Sequence, residues 1–99
     1  MNEMVSVVMS VFNEDCELLR KSIESILNQT YQRFEFIVVC DNPKNQGALA
    51  LIKKYAAEDA RIVFLENSEN IGLARSLNEA INIAKGQYIV RMDADDISH

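Results

Sequence analysis

Three carboxylates stand within four positions near the end of this 99-residue chain, in the segment Asp93-Ala94-Asp95-Asp96, directly after a short apolar run. Alternate side chains on an extended backbone point to the same face, so Asp93 and Asp95 would lie together and repel each other. Such a pair is tolerated when water solvates it or when a cation sits between the two groups. Because hard oxygen ligands favour Mg²⁺ or Mn²⁺, the spacing predicts a metal site that receives a phosphate-bearing ligand.

The overall charge supports the same prediction. The chain has 15 acidic residues against 10 lysines and arginines, which gives a formal net charge of −5. Its sequence contains no cluster of basic residues that could neutralise a nucleic-acid backbone, so we predict no nucleic-acid partner. An anionic protein that binds an anionic nucleotide needs a cation between them, and the terminal carboxylates could hold one.

The elements that must position these acids alternate along the chain. Apolar runs predict strands over 5–12, 34–40, 62–65 and 88–92, and the intervening segments carry apolar stripes at helical spacing. Asn13, Glu14 and Asp15 supply helix-start chemistry, and Gly86 is expected to end the third helix as a left-handed cap. The stripes consist of Leu19, Ile23, Ile26 and Leu27, of Ala48, Ile52, Tyr55 and Ala56, and of Leu73, Leu77, Ile81 and Ala84.

Strands that are apolar on both faces and separated by helices predict an α/β fold with an open, mostly parallel sheet of four strands alternating with three helices. The length allows one domain over 1–99. Ligands of such sheets bind beyond the carboxyl ends of the strands. The polar residues expected at that rim are Asn13, Glu14, Asp41, Glu66, Asn67, Asp93 and Asp95.

The two cysteines, Cys16 and Cys40, are too few for a disulfide framework, and Cys40 is expected to be a buried free thiol. The sequence shows neither a signal-peptide pattern nor an apolar run of membrane-spanning length. We therefore expect a cytoplasmic protein, and attachment of a longer parent protein to the inner face of a membrane stays open.

Several short motifs occur in a fixed order across nearly the whole chain. They are the apolar run 5–12 leading to Asn13-Glu14, Gln29-Thr30-Tyr31 before the second strand, Asn70-Ile71-Gly72-Leu73-Ala74 with Arg75 and Asn78, and Ala84-Lys85-Gly86-Gln87-Tyr88-Ile89 leading to the Asp-x-Asp segment. In this order and spacing the chain resembles the family 2 glycosyltransferases, which have the GT-A fold.

The resemblance implies the Rossmann-like half of a GT-A fold and transfer of a sugar, usually with inversion, from a nucleotide-diphosphate donor to an acceptor hydroxyl. It implies a UDP-linked donor, a glycan or lipid-linked acceptor in polysaccharide biosynthesis, and Mn²⁺ or Mg²⁺ bound by Asp93 and Asp95. The nucleotide-sugar contacts that it implies are Val11, Asn13, Glu14, Asp41, Arg75, Asp93, Ala94 and Asp95.

Two features depart from the family pattern. The second strand is followed by Asn42-Pro43-Lys44-Asn45-Gln46 where the family commonly has an Asp-Gly-Ser-like turn and a further Asp. The family's catalytic domain is also longer, with its general base downstream of the Asp-x-Asp motif. We therefore expect the nucleotide-binding portion of a glycosyltransferase, truncated shortly after that motif and inactive alone. Apolar surface left uncovered by the missing part is expected to cause self-association.

Other functions fit the same residues less well. A receiver-like signalling domain has an acidic metal pocket, but it needs an Asp after the third strand, where this chain has Glu66-Asn67. A sugar nucleotidyltransferase needs a Gly-rich phosphate loop near the first strand, and an EF-hand needs a Gly at the sixth loop position. A glycosyltransferase-like domain that only binds its ligand stays open.

Overall fold

The computed structural model describes residues 4–12, 14–28 and 33–92. The strands form one sheet in the order β3-β2-β1-β4, and every pairing in it is parallel. The predicted α/β class, with four parallel strands alternating with three helices, is confirmed. The elements are β1 (Val5–Val11), α1 (Cys16–Leu27), β2 (Phe34–Cys40), α2 (Gln46–Glu58), β3 (Ile62–Glu66), α3 (Leu73–Ile83) and β4 (Tyr88–Arg91).

Helices cover both faces of the sheet because successive side chains of a strand point to opposite sides. On β1, Met9 and Val11 pack into a larger core with α1 and α2, whereas Val8 belongs to a smaller core beneath α3. The larger core takes Leu19, Ile23 and Ile26 from α1, and Ala48, Leu49 and Ile52 from α2. The stripes predicted on α1 and α2 therefore supply the packing surfaces. The stripe predicted on α3 is only partly right: Leu77 and Ala84 pack against the smaller core, but Leu73 and Ile81 are exposed, and α3 buries Ser76 and Ala80 instead.

The order of the strands creates a crevice. The chain proceeds outward from β1 to β2 and β3, and then returns to place β4 on the other side of β1. Helices α1 and α2 lie on one face, and α3 lies on the other. Ligands of open parallel sheets bind where the winding direction reverses, beyond the carboxyl ends of the strands. The topology thus predicts a ligand-binding site at the carboxyl end of β1.

Local hydrogen bonds fix where α1 and α2 begin and how they meet. Asp15 caps α1 by accepting the Glu17 N–H, and Asn45 caps α2 by accepting the Ala48 N–H at 3.2 Å. The Tyr55 hydroxyl of α2 donates to a carboxylate oxygen of Glu24 in α1 at 2.5 Å. Burial and this hydrogen bond raise the pKa of Tyr55 to about 12, so the hydroxyl remains a donor at neutral pH.

Strand β4 forms one edge of the sheet and is only partly covered. Its apolar side chains are about half exposed, at 53% for Tyr88, 46% for Ile89 and 43% for Val90. The prediction that apolar surface would be exposed around this strand is confirmed. None of the helices formed by the described residues has both the length and the apolar character needed to cross a bilayer.

The predicted left-handed cap at Gly86 is wrong. Helix α3 ends at Ile83 with Ala84 as its C-cap, and among the described residues only Gly72 has a positive φ. Gly86 is required for a different reason, because a Cβ there would lie 2.5 Å from Ser6 Oγ and 2.8 Å from the Met4 carbonyl oxygen. A glycine lets two backbone segments approach closely at this point.

The close approach of these two backbone segments completes a hydrogen-bonded cluster at the amino end of the sheet. The buried Ser6 hydroxyl accepts the Gly86 N–H at 2.8 Å and donates to the Glu35 carboxylate at 2.5 Å. The same carboxylate oxygen accepts the Lys85 N–H, and the Gln87 N–H donates to the Met4 carbonyl at 2.8 Å. Strands β1 and β2 are thereby joined to the turn before β4.

We expect Gly86→Ala to lower the free energy of unfolding by about 1–3 kcal/mol, since overpacking a closed site costs that much. The added methyl group would collide with backbone atoms that cannot move independently. Urea unfolding of the variant checks this, with Gln87→Ala as the control because the Gln87 side chain is exposed. Equal free energies of unfolding for Gly86→Ala and the parent chain would show that the close approach does not exclude a side chain at position 86.

Candidate functional site

A cleft of about 270 Å³ opens at the carboxyl ends of β1 and β2. The end of β1, the end of β2 and the segment between β3 and α3 each contribute to its walls. Its lining residues are Ser10, Phe12, Glu14, Asp41, Asn70, Gly72 and Leu73. The cleft therefore lies at the rim that the strand order singles out for ligand binding.

A second, wider cleft of about 400 Å³ adjoins the first and shares Phe12 and Asn70 with it. The loop after β2 and the loop after β3 form its other walls. Phe12 is 42% exposed although it is aromatic, and it stands between the two spaces. An exposed ring in this position offers a flat apolar surface to any planar ligand that enters either cleft.

The turn after β1 is held in place by hydrogen bonds from side chains to its backbone. A Glu14 carboxylate oxygen accepts the Phe12 N–H at 2.7 Å. The Phe12 carbonyl accepts hydrogen bonds from the amides of Asn42, at 3.3 Å, and Asn45, at 3.0 Å. The segment in which the sequence departs from the family pattern thus fixes the backbone that carries the aromatic ring.

Asp41 is the most constrained ionisable group of the cleft. Its side chain is buried, with 2% of the residue exposed. Oδ1 accepts the Asn67 amide at 2.8 Å and the Ile71 N–H at 2.9 Å, and Oδ2 accepts the Gly72 N–H at 2.9 Å. Burial by itself raises the pKa of Asp41, but hydrogen bonds from Ile71, Asn67, Gly72 and Ser76 outweigh it and hold the pKa below its ordinary value.

The beginning of α3 explains why a carboxylate is stable there. The first amides of a helix have no partner within the helix, and they favour a negative charge. The N-cap of α3 is Gly72, which has no side chain to accept them and whose φ of 95° suits glycine. Asp41, which follows β2, accepts the Ile71 and Gly72 amides just before the first helical residue, and Asn70 also accepts the Gly72 N–H. A residue distant in sequence therefore fixes the backbone that leads into the helix.

The structure places the predicted nucleotide-contacting residues in different surroundings. Glu14 and Asp41 line the cleft together. The Val11 side chain is buried in the larger core, and the Val11 carbonyl accepts the Asp41 N–H at 2.7 Å. Arg75 is exposed on α3 and does not line either cleft. The predicted contacts Asn13, Asp93, Ala94 and Asp95 lie outside the described residues.

Five lining residues were not predicted as site residues: Ser10, Phe12, Asn70, Gly72 and Leu73. A signal for them was present, because three belong to the motif that begins at Asn70 and Phe12 follows the first strand. The rule that strand-terminal loops line the crevice could have identified both segments.

The described part of the cleft does not itself provide a metal centre. Among residues 4–12, 14–28 and 33–92, no group of three or more His, Cys, Asp or Glu side chains could hold a metal ion. The Asp41 oxygens accept N–H donors, and a Glu14 oxygen accepts the Phe12 N–H. Strand β4 runs parallel to β1, and the Met92 N–H donates to the Val8 carbonyl at 3.0 Å. The predicted ligands Asp93 and Asp95 follow directly in the sequence.

Solved structures share this architecture. A mannosyltransferase from Pyrobaculum calidifontis, determined in complex with GDP-Man and Mn²⁺, superposes with a TM-score of 0.83 at 27% identity, over 94% of this chain and 28% of that one. Staphylococcus aureus TarS 1-349 in complex with UDP-GlcNAc gives a TM-score of 0.82 at 23% identity, over 94% of this chain and 27% of the other, which supports the fold. Both neighbours share the GT-A fold of this chain, and the first is named as a mannosyltransferase.

Sequence relatives point to the same class. An uncharacterized glycosyltransferase of Methanocaldococcus jannaschii is 52% identical over 95 residues, which are 96% of this chain and 33% of the relative. The Escherichia coli UDP-Glc:alpha-D-GlcNAc-diphosphoundecaprenol beta-1,3-glucosyltransferase WfaP is 36% identical over 95% of this chain and 36% of its own length. The chain thus spans about a third of the length of these curated relatives. The family model for glycosyl transferase family 2 matches residues 6–99, and the chain belongs to that family.

Proposed function

We propose that this chain is the nucleotide-binding portion of an enzyme that transfers a sugar from a nucleotide-diphosphate donor to an acceptor hydroxyl. The observation that carries the proposal is the cleft at the carboxyl ends of β1 and β2, where an exposed aromatic ring and a hydrogen-bonded carboxylate line one space. Membership of glycosyltransferase family 2 supplies the reaction class and excludes the receiver-like alternative.

The two groups suit the base of a nucleotide. A planar base can stack on Phe12, whose ring is exposed between the clefts, and Asp41 can accept a hydrogen bond from a ring N–H such as that of uracil. The name of the E. coli relative specifies UDP-Glc, and the mannosyltransferase was determined with GDP-Man. Uracil and guanine both carry an imino N–H beside a carbonyl. We propose a UDP-linked donor for this chain.

We propose that the acids after β4 bind the diphosphate end of the donor through a cation. Asp93 and Asp95 are the ligands of Mn²⁺ or Mg²⁺ in this proposal, and Ala94 contacts the sugar nucleotide beside them. Support comes from the Mn²⁺ in the mannosyltransferase complex and from the net charge of −5, which makes direct phosphate binding unfavourable. The bound cation would supply electrostatic stabilisation of the departing nucleotide diphosphate.

The remaining predicted contacts complete the donor site. Glu14 lies in the cleft near the turn that carries Phe12, where its free oxygen can accept a hydrogen bond from a ribose hydroxyl. Val11 and Asn13 would contribute from the same turn, with Val11 limited to its backbone because its side chain is buried. Arg75 would reach the nucleotide from the exposed surface of α3.

The acceptor side is assigned to the part of such enzymes that this chain does not match. Its relatives are about three times as long, and the chain corresponds to 33–36% of their length. We propose that the general base and the residues for a glycan or lipid-linked acceptor lie there, that transfer inverts the anomeric centre in polysaccharide synthesis, and that this chain alone does not turn over. A cytoplasmic location and the absence of a nucleic-acid partner stay predictions.

Titration calorimetry of UDP into the chain, with and without Mn²⁺, tests the metal proposal. We expect Mn²⁺ to tighten binding, and we expect Asp95→Asn to abolish that gain because the variant lacks one anionic ligand. Glu69→Gln is the control, since it removes a carboxylate of the second cleft without changing the proposed metal site. UDP binding that is insensitive to both the metal and Asp95→Asn would contradict the assignment.

The stacking proposal predicts that Phe12→Ala weakens UDP binding by about 1–3 kcal/mol, the range measured for aromatic–base stacking. Phe12→Tyr keeps the ring and should bind as the parent chain does, whereas Phe12→Leu keeps apolar bulk without the ring and should not. Leu18→Ala provides the control, because Leu18 is an exposed apolar residue of α1 away from the clefts. Equal affinities of all four variants for UDP would contradict the assignment of Phe12 to the nucleotide site.

The exposed edge at β4 predicts self-association of the chain. Tyr88, Ile89 and Val90 leave apolar surface beside a strand edge that no other strand of the described residues pairs with, which favours edge-to-edge pairing. Sedimentation velocity over a range of concentrations should show dimers or larger species, and Ile89→Lys should shift them toward monomer. A monomer throughout the range would contradict the prediction.

A further inference from the structure

Asn67, just after β3, connects three elements beneath the cleft. It is buried, with 9% of the residue exposed, and its backbone N–H donates to the Cys40 carbonyl at 3.0 Å. Its side-chain amide donates to Asp41 Oδ1 at 2.8 Å and to Ser76 Oγ at 3.1 Å. Both N–H groups of the amide are therefore used, one on Asp41 after β2 and one on Ser76 in α3.

These contacts leave the Asn67 amide a single favourable orientation. An ionised carboxylate only accepts hydrogen bonds, so the amide must turn its nitrogen toward Asp41. The Ser76 hydroxyl, which is fully buried, then receives the second N–H and keeps the amide from rotating. Reversing the amide would place two oxygens against each other in a buried site, which costs free energy.

The fixed amide in turn determines which acceptor position of Asp41 stays open. Oδ1 accepts hydrogen bonds from Asn67 and Ile71, and Oδ2 accepts the Gly72 N–H; the Ser76 hydroxyl, next to the Asn67 nitrogen that serves Oδ1, also interacts with the carboxylate. A carboxylate oxygen accepts about two hydrogen bonds. Asp41 and Gly72 both line the cleft, so the remaining position on Oδ2 is the one available to a ligand.

We infer that Asn67 is a positioning residue, with Ser76 as its anchor, that holds Asp41 so that one acceptor position on Oδ2 is presented to the nucleotide base. This inference rests on the proposed function. An acceptor fixed in this way favours a base that offers a ring N–H, such as the N3–H of uracil. It disfavours a base of the same size that offers a ring lone pair, such as N3 of cytosine.

The test compares the affinities of UDP and CDP, measured by calorimetry, in the parent chain and in Asn67→Ala. We expect the parent to prefer UDP. We expect Asn67→Ala to weaken UDP by about tenfold, the equivalent of about one hydrogen bond to a charged group, and to weaken CDP much less. The ratio of the two affinities is the readout, because general loosening of the cleft would weaken both nucleotides in the same proportion.

Three further variants make the comparison specific. Ser76→Ala should lower the UDP-to-CDP ratio in the same direction but by less, since the amide loses its anchor and Asp41 loses the Ser76 hydroxyl, while the contact from Asn67 to Asp41 remains. Ser76→Thr retains a hydroxyl and should restore the parent ratio. Asn82→Ala is the matched control, an exposed asparagine of α3 outside both clefts. Circular dichroism establishes that each variant is folded, and Ser76→Ala decides the question if Asn67→Ala does not fold.

The outcomes separate this inference from the proposed function. A parent chain that binds none of UDP, GDP and CDP overturns the proposed function. A parent chain that binds UDP and CDP equally leaves nucleotide binding in place and overturns the inference. An unchanged ratio in the folded Asn67→Ala or Ser76→Ala variant overturns it as well, whereas a reduced ratio that Ser76→Thr restores supports it.

Discussion

The carboxyl ends of the strands depend on the hydrogen bonds made by the buried carboxylate of Asp41. This carboxylate joins the end of β2 to Asn67 after β3 and to the Ile71 and Gly72 amides before α3. Removing a charge from water is unfavourable, and here hydrogen bonds from Asn67, Ile71, Gly72 and Ser76 offset that cost. The same bonds fix the backbone that leads into α3. The cleft therefore has walls that are in place before a ligand arrives.

At the amino ends of the strands, the backbone is closely packed instead. There Ser6, Glu35 and the turn at Gly86 form a hydrogen-bonded cluster that leaves no room for a side chain at position 86. The two ends of the strands thus have different roles. The amino ends fix how β4 lies against β1. The carboxyl ends present polar groups and the exposed ring of Phe12 to a space that a ligand can enter.

This separation of a packed end from a ligand-accessible end suits a chain that corresponds to about a third of the length of its relatives. The described residues form a cleft with an aromatic surface and a fixed acceptor, which we propose to bind the donor, and the acids proposed to bind a cation follow β4 directly in the sequence. The uncovered edge at β4 lies on the side of β1 away from β2 and β3. The proposed base recognition can thus be tested in this chain separately from the chemistry of transfer.

The sequence by itself determined the order of elements, the parallel sheet and the rim that carries polar groups. These follow from local hydrophobic periodicity and from the rule that helices connect parallel strands. The family motifs also marked Glu14 and Asp41, which the structure brings together. Only the tertiary structure decided that Asp41 binds the backbone leading into α3, that Asn67 holds Asp41, and that Gly86 admits a neighbouring backbone segment. Those roles join residues 26 to 80 positions apart, and such contacts depend on strand register and helix packing, which no local pattern encodes.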